Sequence, residues 1–277
     1  MHSYATIDAL KTIGSISGTG DDAQRRRLLE SVSGEFDKLL HRTFRTYLAT
    51  YYLSLESVTS VLLDREVLGL GLLSVTTLKT DKDGDRVYET TWATTDYDLL
   101  PLNAANEEKP FWEIAKSPNG VQSFPKKVRG LEIVGKWGYF EDLVRVASLL
   151  NEGAGLTAAA TTVNVDDGTD FEVLQTILID SEQMYITAIA ANALTVERGV
   201  NGTTAATHVD NAVIDVYRYP RDLVEATLMH SSRLWTRRAS GFADVVGFDD
   251  GGTLRPWQGY GRDVQDLLTK FALKGSR

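Results

Sequence analysis

The sequence contains no cysteine, which excludes disulfides, thiolate nucleophiles and thiolate-ligated zinc. Its four histidines, His2, His41, His208 and His230, are scattered without the paired spacing of a metal site. No run of about eighteen apolar residues is present, and no basic-then-apolar leader follows Met1. The expectation is a chain that neither spans a membrane nor carries a secretory signal. Also missing are a phosphate-binding glycine loop ending in Lys-Ser or Lys-Thr and a Gly-x-Ser-x-Gly elbow, and Gly69-Leu70-Gly71 lacks the third glycine of a dinucleotide fingerprint. No catalytic, cofactor-binding or metal-ligating residue is therefore expected. Asp81-Lys82-Asp83-Gly84-Asp85 gathers carboxylates but lacks the spacing and distant Glu of a helix-loop-helix calcium site. Asp-Gly between two strand-like runs reads as a hairpin turn.

What is present is enough apolar sequence for a core: 43% of the 277 residues are hydrophobic and 24% charged, an ordinary globular balance. The net charge of -9 is unevenly placed. Between Asn151 and Tyr217 there are ten acidic residues and one basic residue, Arg198, while the remainder carries 28 of each sign. All five tryptophans lie outside that stretch. Two differently composed pieces share the chain, and the expected division is a host formed by residues 1–150 and 218–277 and an acidic β domain at 151–217 inserted into it.

Thr6 to Ile13 reads as a short helix capped by Thr6, and Asp21 or Asp22 opens a longer one with Leu28, Leu29, Val32, Phe36, Leu39 and Leu40 at helical spacing. The triplet Arg25-Arg26-Arg27 beside Asp21, Asp22 and Glu30 reads as a solvated helix face. Strand signals follow at Arg45 to Leu53, Leu73 to Thr80 and Asp96 to Leu100, the last ended by Pro101. Val128 to Tyr139 is the strand to which these lead: Val128, Ile133, Val134 and Trp137 suit a half-buried pleat, and Gly135 and Gly138 suggest a bulge or a close backbone approach.

Beyond it, short β signals separated by turns predict five or six strands in a compact barrel or sandwich. Arg198 to His208, with its Asn201-Gly202, reads as a tight connection rather than a ligand loop. Pro220 then starts a helix carrying Leu223, Val224, Thr227, Ser231, Leu234 and Trp235 on one face. Gly-rich loops lead to a final helix from Asp263 to Leu273, whose Val264, Leu267, Leu268 and Phe271 form an apolar face in need of a partner, its own domain or another chain. The expected fold class is α+β: a helical host with short antiparallel strands, interrupted by a small all-β inserted domain.

This order of segments resembles the head-to-tail adaptor, or head-completion, proteins of tailed bacteriophages. The resemblance is carried by Tyr4-Ala5-Thr6 with Leu10-Lys11, Arg42-Thr43-Phe44, Asp96-Tyr97 with Leu100-Pro101 and Asn103, and Pro110-Phe111 with Ile114. It continues through Trp137-Gly138-Tyr139, Arg233-Leu234-Trp235 with Arg237-Arg238, and Asp263-Val264 with Leu267-Leu268. In the acidic stretch, Ile179 to Met184 and Glu197-Arg198-Gly199 leading into Asn201 to Ala205 are similar to β modules of such phage proteins. The resemblance implies a non-enzymatic virion protein at the head-tail neck, assembled in the host cytoplasm. It implies a ring of roughly twelve copies below the portal, extending a channel through which DNA passes without specific binding and seating the stopper or tail. On this reading Val264, Leu267, Leu268 and Phe271 are expected to dock on the portal or on a neighbouring copy. Two other readings are a stopper or tail-completion protein of the same neck and, in a different class, a surface- or carbohydrate-binding β-module protein.

Overall fold

The computed structural model describes residues 2–63, 71–238 and 259–272. Helices occupy the two ends of the chain. Helix α1 (Ile7–Ile13) starts where Thr6 accepts a hydrogen bond from the Ala9 amide, the predicted cap. Helix α2 (Asp22–Leu40) buries Leu29, Val32, Phe36 and Leu40 and stops at His41, which adopts the left-handed conformation. Leu39, expected on the buried face, is exposed. Near the other end, α3 (Arg221–Arg237) begins after Pro220, and α4 (Arg262–Thr269) buries Val264 and Leu268.

Between the helices lie β1 (Tyr47–Leu53), β2 (Ser60–Leu62), β3 (Leu72–Thr80), β4 (Thr90–Thr91), β5 (Tyr97–Leu100), β6 (Glu113–Lys116) and β7 (Leu131–Trp137). They form a four-stranded sheet, ordered β1-β7-β3-β4, and a three-stranded one, β2-β6-β5. Strand β7 pairs on both sides, its even alternation placing Leu131, Ile133 and Trp137 in the core they share with Leu63, Leu78 and Ile114. A Cβ on Gly135 would lie 2.4 Å from the Ser74 carbonyl, so the close approach read from the sequence is real and sits beside two register shifts in β3. Val128, expected in this strand, lies ahead of it in an exposed turn.

The remaining strands, β8 (Asp142–Leu149), β9 (Thr162–Asn164), β10 (Thr176–Ile179), β11 (Glu182–Ala190), β12 (Ala193–Glu197) and β13 (Val213–Arg218), form one sheet in the order β8-β13-β10-β11-β12-β9. Its two edges meet. Leu150 bridges Val165, and the Asn151 amide donates to the Asn164 carbonyl at 2.8 Å, so the sheet closes into a barrel around Val163, Ile177, Ile179, Met184, Leu194 and Ile214. Strand β8 belongs to this sheet although it precedes Asn151.

These observations overturn the expected helical host with a small β insertion. Among the described residues, thirteen strands in three antiparallel sheets outweigh four α-helices, and only 24% is helical. The reason is physical: the runs from Tyr47 to Thr80 and from Tyr97 to Trp137 pair with one another and enclose a core of their own, rather than edging a helical one. No helix among the described residues is long and apolar enough to cross a membrane.

Candidate functional site

Several of the segments that carry the adaptor resemblance meet at the helical end, while Tyr97, Phe111 and Ile114 lie in the core of the sheets and Ile179 and Met184 in the barrel. Tyr4 packs edge-on against Phe44, with ring centroids 5.7 Å apart, and against Tyr219 at 4.8 Å. Phe44 in turn meets Tyr139 at 5.0 Å and Phe271 at 5.1 Å. The Arg42 guanidinium stands 5.4 Å from the centre of the Tyr139 ring. Residues drawn from five separated stretches thereby form one aromatic cluster, to which Val32, Leu40, Leu223, Val264 and Leu268 add the aliphatic body.

A polar chain threads the cluster. The Tyr4 hydroxyl donates to Asp37 Oδ1 and accepts from the Phe44 amide at 3.0 Å, which ties α2 to the loop that follows it. His2 Nε2 lies 3.1 Å from the other Asp37 oxygen. Burial, reinforced by the Asp37 charge, holds the Tyr4 phenol well above its ordinary value, so it remains a donor. Arg233 on α3 pairs with Asp263, and Lys270 Nζ reaches Asp222 at 2.5 Å, clamping α4 onto α3.

The face formed by Val264, Leu267, Leu268 and Phe271 is accordingly occupied by its own chain: three of the four are buried and Leu267 packs against the same cluster. Engaging a portal or a neighbour through it requires α4 to leave the cluster. Arg25, expected on a solvated face with Arg26 and Arg27, is buried; its guanidinium lies 4.9 Å from the Trp235 ring centre and pairs with Asp22 at 2.5 Å.

In the barrel the acidic residues do a different job. Glu182 is buried and receives five hydrogen bonds: from Arg198 Nε and Nη2 at 2.6 and 2.7 Å, from the Gly199 and Ala206 amides at 3.0 and 2.9 Å, and from His208 Nε2 at 2.9 Å. Burial alone would raise its pKa, but the Arg198 guanidinium and the other donors outweigh burial and hold the carboxyl at about 2. His208 Nδ1 also meets Asp180 at 2.7 Å, and Arg198 Nη1 donates to the Thr157 and Ala160 carbonyls. With every oxygen and proton engaged, this network fastens the 198–208 loop and leaves Glu182 no open side for a substrate. In the sequence the loop reads as a tight connection, Asp180-Ser181-Glu182 as a turn between two strand signals and Ile179 to Met184 as part of the resemblance, but no role for Glu182 is visible.

The fastened loop has a destination. The Leu48 amide at the outer edge of β1 donates to the Asn201 carbonyl at 2.8 Å. Gly202, at φ +79, passes so close that a Cβ there would lie 2.1 Å from the Leu48 carbonyl, so Asn-Gly is demanded by both the turn and the contact. Tyr185 completes the junction, packed with Ile7, Leu10, Leu29, Leu174 and Leu228 and donating to Glu30 at 3.1 Å. Beside it a cleft of about 220 Å³ opens among Tyr4, Thr6, Leu174, Tyr217, Arg218 and Val224.

The acidic β3–β4 loop brings oxygens of Asp81, Asp83, Asp85 and Glu89 within 4.8 Å of one another, the residues that could ligate a cation among the described ones. Asp81 already accepts from the Gly84 and Arg86 amides at 2.6 and 2.8 Å, which is how a loop of this length is held. No family model, no curated protein and no solved structure matches the chain.

Proposed function

We propose that the protein is a head-to-tail adaptor of a tailed bacteriophage, a structural ring component seated below the portal that extends the DNA channel and receives the stopper or tail. The observation that supports this reading is the convergence of the motif residues: Tyr4, Phe44, Tyr139, Asp263, Val264 and Leu268, far apart in sequence, build one helical and aromatic hub. The three-sheet β body lies between the two halves of that hub in chain order and packs on its helices through the Tyr185 junction.

Negative-stain microscopy of the purified chain mixed with portal particles tests the proposal. A ring of added density on one end of the portal is the expected result. Bare portals at a large excess of protein would sink it.

A further inference from the structure

Helix α4 is seated on the hub through the residue that precedes its cap. Tyr260 packs against the rings of Phe36 on α2 and His230 on α3, with centroids 5.8 and 4.9 Å away, and its hydroxyl donates to Glu35 Oε1 at 2.5 Å. The Tyr260 carbonyl accepts from Gln265 Nε2 at 3.1 Å, so the first turn of α4 is tied to the same residue. Burial and the Glu35 carboxylate hold the Tyr260 phenol above its ordinary value, which keeps it a donor.

The histidine in this contact is poised between two states. His230 is only 12% exposed, and its Nε2 stands 3.9 Å from Glu35 Oε2, beyond hydrogen-bond reach, while the other Glu35 oxygen holds Tyr260. Arg233 and Arg237 follow three and seven residues later, on the same face of α3. The charged groups facing the ring are thus one carboxylate from α2 and two guanidinium groups from α3, and the α4 side presents the Tyr260 ring. Burial keeps the imidazole below its ordinary 6.5; Glu35 acts to raise it and the two arginines lower it further.

We infer that His230 is an acid-sensitive latch for α4, with the Glu35 carboxylate as the element that moves. While His230 is neutral, Glu35 serves Tyr260 and α4 stays seated. A proton on the ring places a cation in a buried position beside two like charges of its own helix, and the nearest anion among the described residues is Glu35. To answer it, Glu35 has to close the 3.9 Å gap into a charge-assisted hydrogen bond, which draws it away from the Tyr260 hydroxyl and frees the entry to α4.

The direction follows from the lowered imidazole value. The released form takes up the proton more readily than the seated one, so the seat is whole above pH 6.5 and is lost as pH falls through the lower folded value. The loss begins above the ordinary carboxylate range, ahead of the acid step at Glu182. The latch stands without the adaptor reading: it governs the release of Val264, Leu267, Leu268 and Phe271 whatever partner they meet.

Amide exchange of the full-length protein, expressed as protection relative to the unstructured rate at each pH, tests the latch. From about pH 7.5 to about pH 5, protection in α4 should fall roughly tenfold or more while the Gly199 and Ala206 amides keep theirs. By nuclear magnetic resonance the His230 ring should titrate with a midpoint below the ordinary 6.5. His230→Asn, neutral throughout, should hold α4 protection constant over the same range. Glu35→Gln keeps an acceptor for Tyr260 but offers the ring no charge, so the fall should move to lower pH. Tyr260→Phe should leave α4 less protected than wild type at neutral pH, with a smaller step in acid. Constant protection in the wild type, the same fall in His230→Asn, or a ring midpoint at or above 6.5 overturns the latch. Should His230→Asn fail to fold, Glu35→Gln decides, and a fall that stays at the wild-type pH or moves upward overturns it.

Discussion

The barrel and the helical hub each bury a charged residue, Glu182 and Arg25, and they surround it differently. In the barrel, Glu182 takes donors from one arginine, one histidine and two amides, and Asp166, Asp170 and Asp210 hold loop amides at the rim. In the hub, arginines lie against rings as well as in ion pairs: Arg25 and Arg238 flank Trp235 at 4.9 and 3.9 Å while pairing with Asp22 and Asp21, and Arg42 faces Tyr139. A closed sheet of short strands has many loop amides to satisfy, and carboxylates do that compactly. Helices satisfy their own amides internally, so their ends and faces are free to spend cations on aromatic packing. The acidic character of residues 151–217 is therefore largely a requirement of loop closure, with a surface field as its by-product.

Mutations at chosen points should separate the two regimes. The largest effect is expected at Tyr185, which belongs to both: Tyr185→Ala removes a fully buried ring from the junction and should cost about 3–5 kcal/mol. Urea unfolding followed by tryptophan emission, which does not report on the barrel because the barrel has no tryptophan, should then separate from far-ultraviolet circular dichroism. Coincident transitions would mean that the two regions remain one cooperative unit without this ring.

Glu182→Gln tests the barrel alone. It leaves Arg198 buried without its counter-charge, and a loss of about 3–4 kcal/mol is expected. Amide hydrogen exchange should accelerate first at Gly199 and Ala206, and unchanged protection there would remove Glu182 from its role. In the hub, Val264→Ala should cost about 2 kcal/mol, read as a lower denaturation midpoint with protease sensitivity appearing near α4. If α4 has to detach to meet a portal, the same variant should bind portal particles more tightly, since less of the hub must be undone.

Acid sharpens the contrast further. The Glu182 carboxyl has a folded-state value of about 2, below the ordinary 4.5, so its stabilisation is complete above pH 4.5 and is lost as pH falls toward 2. Barrel amides around Gly199 should lose exchange protection in that window before the hub's Phe36 and Leu223 do. The smallest effect is expected at Thr6→Ala, about 1 kcal/mol from the lost cap on α1, visible as a slightly lower melting temperature.

The helices were legible in sequence because their signals are local: Thr6 as a cap, Pro220 at a start, and Val264, Leu268 and Phe271 three and four residues apart. Strands β3 and β7 were legible for the same reason, β3 through its alternation and β7 through its β-branched and aromatic residues and Gly135. The weight of the fold was not. Whether Tyr47 to Leu53 decorates a helical body or forms the edge of a sheet with its own core depends on pairing with Leu131 to Trp137, nearly ninety positions away in chain order. Strand β8 reads by itself as a continuation of β7, and only its pairing with β13 assigns it to the barrel.

The same division holds for the sites. Composition by itself determined that acidic charge is concentrated between Asn151 and Tyr217, and helical periodicity determined that the last helix has an apolar face. Only tertiary structure decided that this face is filled by Phe44 and Tyr139, that Glu182 finds Arg198 and His208, and that Arg25 lies under Trp235. Local spacing fixes which way a side chain faces along its own element. What it meets there is set by long-range packing, whose partners carry no mark of one another in the sequence.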